Sequence, residues 1–236
     1  MSKANETDGS PRLAQGIIVL ALICLGSGLG VGTLYSQMKQ DIEHKQESVF
    51  QESLSEVLGP AEQYGTVGDY PPGTPRQDIV YRNETDSGVL YAAMGSANGY
   101  QSKIRALASV KVKEPDTPVG DDPVIHRISV VFSQETPGLG ARVEEVQKDV
   151  SLWARLMGRT TQGSGRPWFQ EQFDNKKLSD LKVEKDQGGD SGVEGTTQAT
   201  PLRPITGATI TSRATTEAVR LAVENIINRT IEVYGE

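Results

Sequence analysis

The chain has 236 residues and a formal net charge of −7, with 36% hydrophobic and 23% charged residues, a balance that suits one or two folded domains rather than a disordered chain. One cysteine, Cys24, and two histidines, His44 and His126, exclude an internal disulfide, a Cys/His zinc site, an iron–sulfur cluster and a bis-histidine haem. No G-x-S-x-G elbow accompanies the histidines, which disfavours a hydrolase, and net acidity without any basic run argues against nucleic acid.

Residues 16–35 (GIIVLALICLGSGLGVGTLY) carry no charged side chain. As a helix, twenty such residues span roughly 30 Å, the thickness of a bilayer's hydrocarbon core. A cleaved signal peptide would have a shorter apolar region and a small-x-small cleavage site, which this stretch lacks. The expected organisation is therefore a cytoplasmic leader over 1–13, a transmembrane helix over 14–36, a stalk helix over 37–59 and a soluble domain over 60–236. Gly26, Gly28, Gly30 and Gly32 supply two overlapping G-x-x-x-G spacings, which permit close helix approach and are equally the ordinary glycine content of a membrane helix. Lys and Arg flank the segment almost evenly, so orientation rests on size, with the short leader inside and the large domain translocated. Residues 1–35 balance to zero, which leaves the whole net charge of −7 on residues 36–236.

Met38, Ile42, Val49, Leu54 and Leu58 recur at mostly helical intervals in the stalk. Prolines 60, 71, 72 and 75 then mark residues 60–77 as a loop. Strands are expected at 79–81, 89–94, 104–112 and 128–132; the third alternates Ile104, Ala106, Ala108, Val110 and Val112 as a half-buried strand does. Residues 114–123 (EPDTPVGDDP) form a turn between the last two. A helix is expected over 142–157, an aromatic cluster at Trp168, Phe169 and Phe173, a polar mobile loop over 184–201, and a closing helix over 212–233. Strands in the middle with helices at the ends make an α+β domain of about 180 residues. The sequons at Asn83 and Asn228 read as chance matches.

Two segments carry candidate chemistry. Residues 134–140 (QETPGLG) come directly after the last strand, where Glu135 and Thr136 offer a carboxylate and a hydroxyl while Gly138, Leu139 and Gly140 allow close backbone approach. Residues 206–212 (TGATITS) set hydroxyls at Thr206, Thr209, Thr211 and Ser212 ahead of the last helix, whose N-terminus is a natural phosphate site. From the residues alone, a structural Pro-Gly turn and helix capping are the simpler readings.

The two segments in this order, behind one anchor, resemble the FMN-binding domain family that includes the G subunit of the Rnf ion-translocating electron transport complex and, more distantly, the C subunit of the sodium-translocating NADH:quinone reductase. The resemblance runs through Gly99-Tyr100, ETPGLG at 135–140, the aromatic cluster and TGAT at 206–209. It implies FMN joined through its phosphate to Thr209, with Thr206, Gly207, Ala208 and Thr211 around the attachment point. Glu135, Thr136, Gly138, Leu139 and Gly140 would lie against the flavin. It further implies an electron carrier rather than a catalyst by itself, single-pass in a bacterial inner membrane with its domain outside the cytoplasm. Its partners would be the other subunits of the complex and, for maturation, a flavin transferase. Three positions depart from the family pattern: Arg203 where aspartate is usual, Ser133 where histidine is common, and QSKI after Gly99-Tyr100. The quinone reductase's C subunit, and a non-flavinylated binding or structural membrane protein, are the alternatives.

Overall fold

The computed structural model describes residues 10–132, 135, 140–144, 165–183 and 201–235. The chain divides into two units, Met1–Val49 and Phe50–Glu236.

The first unit is helical. Helix α1 runs without a break over Ser10–Leu58, so the expected anchor and stalk are one element. Nothing between the glycines of the apolar segment and Gly59-Pro60 can interrupt it; Gly59, at φ +81°, then takes the left-handed conformation that ends helices. Gln15–Leu58 contains a window of mean hydropathy 2.3, long and apolar enough to cross a membrane. From Ile17 to Tyr35 its large apolar side chains are all more than half exposed. Ser27 and Thr33 turn their hydroxyls back onto the carbonyls of Ile23 (2.8 Å) and Leu29 (3.0 Å), the back-bonding common to Ser and Thr within helices.

The second unit is an α+β domain built on a five-stranded antiparallel sheet in chain order: β1 Gly65–Thr66, β2 Tyr81–Thr85, β3 Gly88–Asn98, β4 Lys103–Val112 and β5 Ile125–Phe132. β1 and a single turn of 3-10 helix at Arg76–Asp78 punctuate the expected loop over 60–77. The β2–β3 hairpin closes on Gly88, whose φ of +129° and close approach to the Val112 carbonyl leave no space for a side chain. Helix α2 is a single turn at Trp168–Glu171, and helix α3 runs over Thr209–Tyr234. Residues 140–144 form a 3-10 turn. The remainder of the helix expected over 142–157, and all but the last residue of the loop expected over 184–201, lie outside the described residues.

β4 corrects the expectation of a half-buried strand, because Ala106, Leu107, Ala108, Ser109 and Val110 are all buried. Its even-numbered side chains join the larger core beneath α3, with Val219, Val223 and Ile226. Its other face joins a smaller core in which Phe50, Leu54, Val57 and Leu58, the last turns of α1, cover Leu90, Met94 and Leu107. The alternation is real, but both faces are covered. Met38, Ile42 and Val49, the earlier apolar positions of the same helix, stay exposed.

α3 lies very close to β3, and Gly95 makes that approach possible. A Cβ there would fall 1.9 Å from the Ala218 carbonyl oxygen and 2.6 Å from the Ala222 nitrogen, both backbone atoms of α3. Overpacking of that kind forces backbone shifts. Gly95→Ala is expected to lower stability in urea by about 2–3 kcal/mol; a loss under about 0.5 kcal/mol, the size of a surface substitution, would contradict so close a seating.

Candidate functional site

Three segments meet at Glu135. β5 delivers it three residues beyond the end of the strand, and its side chain is buried. Oε1 accepts the backbone N–H groups of Gln101 and Ser102, each at 3.1 Å, and the Ser102 hydroxyl at 3.4 Å. These donors belong to the tight turn joining β3 to β4, which the Gly99 N–H closes onto the Ser102 carbonyl at 2.8 Å. Oε2 accepts the Thr211 hydroxyl at 2.9 Å, from the first turn of α3. Only an ionised carboxylate offers acceptors alone to so many donors at once.

Two glycines floor this junction. A Cβ on Gly99 would lie 2.4 Å from Glu135 Oε1, and one on Gly140 would lie 2.7 Å from Glu135 Cβ and 2.8 Å from Thr211 Oγ1. Neither position admits a side chain while Glu135 keeps its place. Burial is the largest influence on the Glu135 carboxyl and pushes its pKa up, yet the hydrogen bonds from Ser102, Gln101, Thr211 and Tyr100 together outweigh it and hold the group below the ordinary carboxylate range.

The threonine-rich segment forms a turn and the start of α3. Ala208 N–H donates to the Ile205 carbonyl at 2.9 Å across Gly207, whose φ is +78°. A turn with positive φ at that position selects glycine, so Gly207 is required by backbone geometry as well as by access. α3 begins at Thr209, three residues before the expected start, which puts Thr211 and Ser212 inside the helix rather than ahead of it. The hydroxyls do not cap the helix as expected: the N-cap is Ala208, with no side-chain cap bond. Ser212 Oγ instead accepts the Ile205 N–H at 2.9 Å and donates to the Ala208 carbonyl at 3.0 Å, pinning the turn to the helix.

The four hydroxyls therefore differ in kind. Thr211 and Ser212 are buried, whereas Thr206 is exposed and Thr209 is half-buried at the first position of α3. Thr209 thus stands at the positive end of the helix dipole, where an anionic phosphate is favoured. Residues 207 and 208, glycine and alanine, present no bulk beside it. A phosphate such as FMN carries fits the start of α3, where the free N–H groups of the first turn and the Thr209 hydroxyl stand together. Of the ETPGLG segment, Glu135 and Gly140 lie at this junction; Thr136, Gly138 and Leu139 lie outside the described residues.

The aromatic cluster is the wall behind this region. Phe169 and Phe173 are fully buried and meet edge to face at 5.6 Å. Gln170, also buried, donates to the Val143 carbonyl at 2.9 Å and so ties α2 to the turn that begins at Gly140. Arg166 clasps the segment to the sheet and to α1, bonding Asp174 at 2.5 Å, Glu56 at 3.1 Å and the Ile128 carbonyl at 3.2 Å. Glu56 in turn accepts the Ser129 hydroxyl at 2.7 Å. Arg203 is exposed, its backbone held by Gln172 through bonds of 2.8 and 3.2 Å, and it lines a shallow surface cleft with Trp168, Lys176 and Pro201. The backbone donors around Glu135 and the Arg166 clasp have no local signal in the sequence; Gly99-Tyr100 is its only pointer to the turn.

The FMN-binding domain family matches residues 117–224. Over 88% of both chains, this one is 25% identical to the G subunit of the proton-translocating ferredoxin:NAD(+) oxidoreductase complex of Clostridium ljungdahlii. It is 26% identical to the G subunit of the ion-translocating oxidoreductase complex of Vibrio cholerae serotype O1, over 94% of this chain and 93% of that one. Among solved structures, the C subunit of the Na(+)-translocating NADH-quinone reductase of Parabacteroides distasonis is 20% identical, covering 64% of this chain and 62% of that chain, with a TM-score of 0.38. The resemblance to the Rnf G subunit seen in the motifs thus extends over most of the chain.

Because the folded carboxyl of Glu135 titrates below its unfolded value of about 4.3, its stabilisation is complete above that value and is lost as the pH falls through the lower, folded pKa. Glu135→Gln is expected to cost about 1–2 kcal/mol at neutral pH, and the gap to wild type should narrow on acidification. A gap that stays constant in chemical denaturation across that range would contradict an ionised, hydrogen-bonded Glu135.

Proposed function

We propose that this protein is a membrane-anchored electron-transfer subunit of an ion-translocating oxidoreductase complex of the Rnf type, carrying FMN in phosphoester linkage to Thr209. The observation that carries the reading is the arrangement at the start of α3: one half-buried hydroxyl at a helix N-terminus, Thr209, two residues before Thr211, whose hydroxyl bonds the buried Glu135 carboxylate. The matched family and the G-subunit relatives support it.

Each residue has a distinct task in this reading. Thr209 supplies the hydroxyl oxygen of the phosphoester. Gly207 turns the chain so that the approach to Thr209 stays open, and Ser212 fixes that turn to the helix. Glu135 holds the β3–β4 turn against α3 through Thr211, which keeps that turn in register with the attachment point. The bound flavin supplies the one-electron chemistry that side chains lack. Attachment prevents its loss from a domain on the extracytoplasmic side of a bacterial inner membrane.

α1 is the anchor, and its apolar segment over 16–35 carries no Asp, Glu, His, Lys or Arg for ion passage. The protein therefore relays electrons between neighbouring subunits, with the flavin transferase needed only for maturation. Arg203, exposed at the surface near the attachment turn, does not obstruct Thr209 from within the fold.

Full-length protein co-produced with a flavin transferase should gain the mass of FMN less water, with in-gel flavin fluorescence. Thr209→Val should abolish both and Thr209→Ser should retain them. An unmodified wild type, or a flavin that survives Thr209→Val, would refute the assignment.

A further inference from the structure

The two ends of the sheet carry opposite charge. At one end β3 stops, β4 begins and α3 begins, gathered around Glu135. Segments 99–105, 140–144 and 203–213 build that end, and they hold five cations, Lys103, Arg105, Arg142, Arg203 and Arg213, against Glu135 and Glu144. At the other end lie the β2–β3 turn, the connection from β4 to β5 and the last turns of α3. There Tyr234 packs beside Tyr91, and the Val119 N–H donates to the Thr230 hydroxyl. Segments 82–88, 111–122 and 224–235 at that end hold eight carboxylates and four cations. Two of those cations are already neutralised, Arg82 by Glu84 and Asp116, and Arg229 by Glu232. Lys103, Arg203 and Arg213 are instead exposed, with no ion pair among the described residues.

We infer that the cationic end is the docking face for an acidic patch on the redox protein with which the flavin exchanges an electron; the inference rests on FMN being tethered at Thr209. One partner is oxidised as the other is reduced by that single electron, and no bond is made or broken. β4 has ten residues, so at about 3.3 Å per residue it separates the two ends by roughly 30 Å. The Debye length at physiological salt is about 8 Å. An approaching protein therefore meets the field of one end and not the average of an acidic chain. The carboxylates repel an acidic partner from the far end and the cations draw it to the Thr209 end, which both speeds and orients the encounter. The same cations suit a lipid surface poorly, since lipid-binding patches are clusters of roughly 4–8 Lys or Arg beside the apolar helix, whereas these stand singly on three separate segments of the folded domain.

The flavinylated full-length protein, in nanodiscs of phosphatidylcholine, tests this. Intact mass first confirms FMN on wild type, Lys103→Glu, Arg213→Glu and Asp86→Lys. The flavin is then reduced and mixed by stopped flow with one of two oxidised one-electron acceptors, plastocyanin, whose surface is acidic, or cytochrome c, whose surface is basic. Plastocyanin should be reduced faster at low salt, and its rate should fall about tenfold as ionic strength is raised. Lys103→Glu and Arg213→Glu should each slow that reaction several-fold at low salt and converge on wild type at high salt, which a fold defect would not do. Asp86→Lys, at the other end, should leave the rate within about twofold of wild type. A plastocyanin rate indifferent to salt and to both reversals, or a preference for cytochrome c at low salt, would overturn the inference and leave the attachment standing. An effect of the reversals that appears only with phosphatidylserine in the nanodiscs would overturn it in favour of a lipid surface. A wild type without the FMN mass would overturn the tether and the inference together.

Discussion

Among the described residues, the carboxylate of Glu135 is the buried polar group to which the segment leaving β5, the turn between β3 and β4, and the first turn of α3 all answer. Its two oxygens serve different elements, one accepting the backbone donors of residues 101 and 102 and the other the Thr211 hydroxyl. An amide at this position would have to donate where only acceptors are wanted, and an aliphatic group would leave buried N–H groups unpaired at a cost of about 1–3 kcal/mol each. Gly99 and Gly140 answer the same demand, because both face Glu135 too closely for a Cβ. The site's geometry is thus a consequence of satisfying one charge inside the fold.

Around that point the domain is stiffened from both sides of the sheet. α3 seats on β3 through Gly95, and the last turns of α1 close the other face over Leu107. Arg166, bonded to Glu56, Asp174 and Ile128, joins the end of α1 to the segment that carries the buried aromatics. An electron-transfer cofactor benefits from such rigidity, since pre-organised surroundings need not rearrange when charge arrives. Thr211 and Ser212 are buried and bonded within the fold, and Thr209 stands half-buried at the dipole end of the helix.

Much of this is legible in the sequence because it obeys simple periodicities. The long apolar stretch of α1 shows as an absence of charge, the central strands as alternation, and the closing helix as its apolar side. The start of α3 lies three residues earlier than the sequence suggests because Thr209, Ile210 and Thr211 are β-branched, and two of them carry hydroxyls, so they read as a cap and not as the first turn. β4 reads as half-buried because its second cover, Phe50 to Leu58, belongs to a helix that reads locally as a stalk. The partners of Glu135 are illegible for a different reason: they are mostly main-chain N–H groups, which every residue but proline possesses. Gly99-Tyr100 and ETPGLG stand out as motifs, but only the fold shows that one leads into the donors and the other supplies the acceptor.

Four hydroxyls lie within residues 206–212, and the fold distinguishes them by burial and by their place relative to the helix start. Tandem mass spectrometry of the flavinylated peptide ending at Arg213 therefore bears most directly on the attachment site. Fragment ions should place the FMN mass on Thr209, with Thr206, Thr211 and Ser212 unmodified. An adduct on any of those three, or a peptide without flavin from protein matured beside an active transferase, would contradict it.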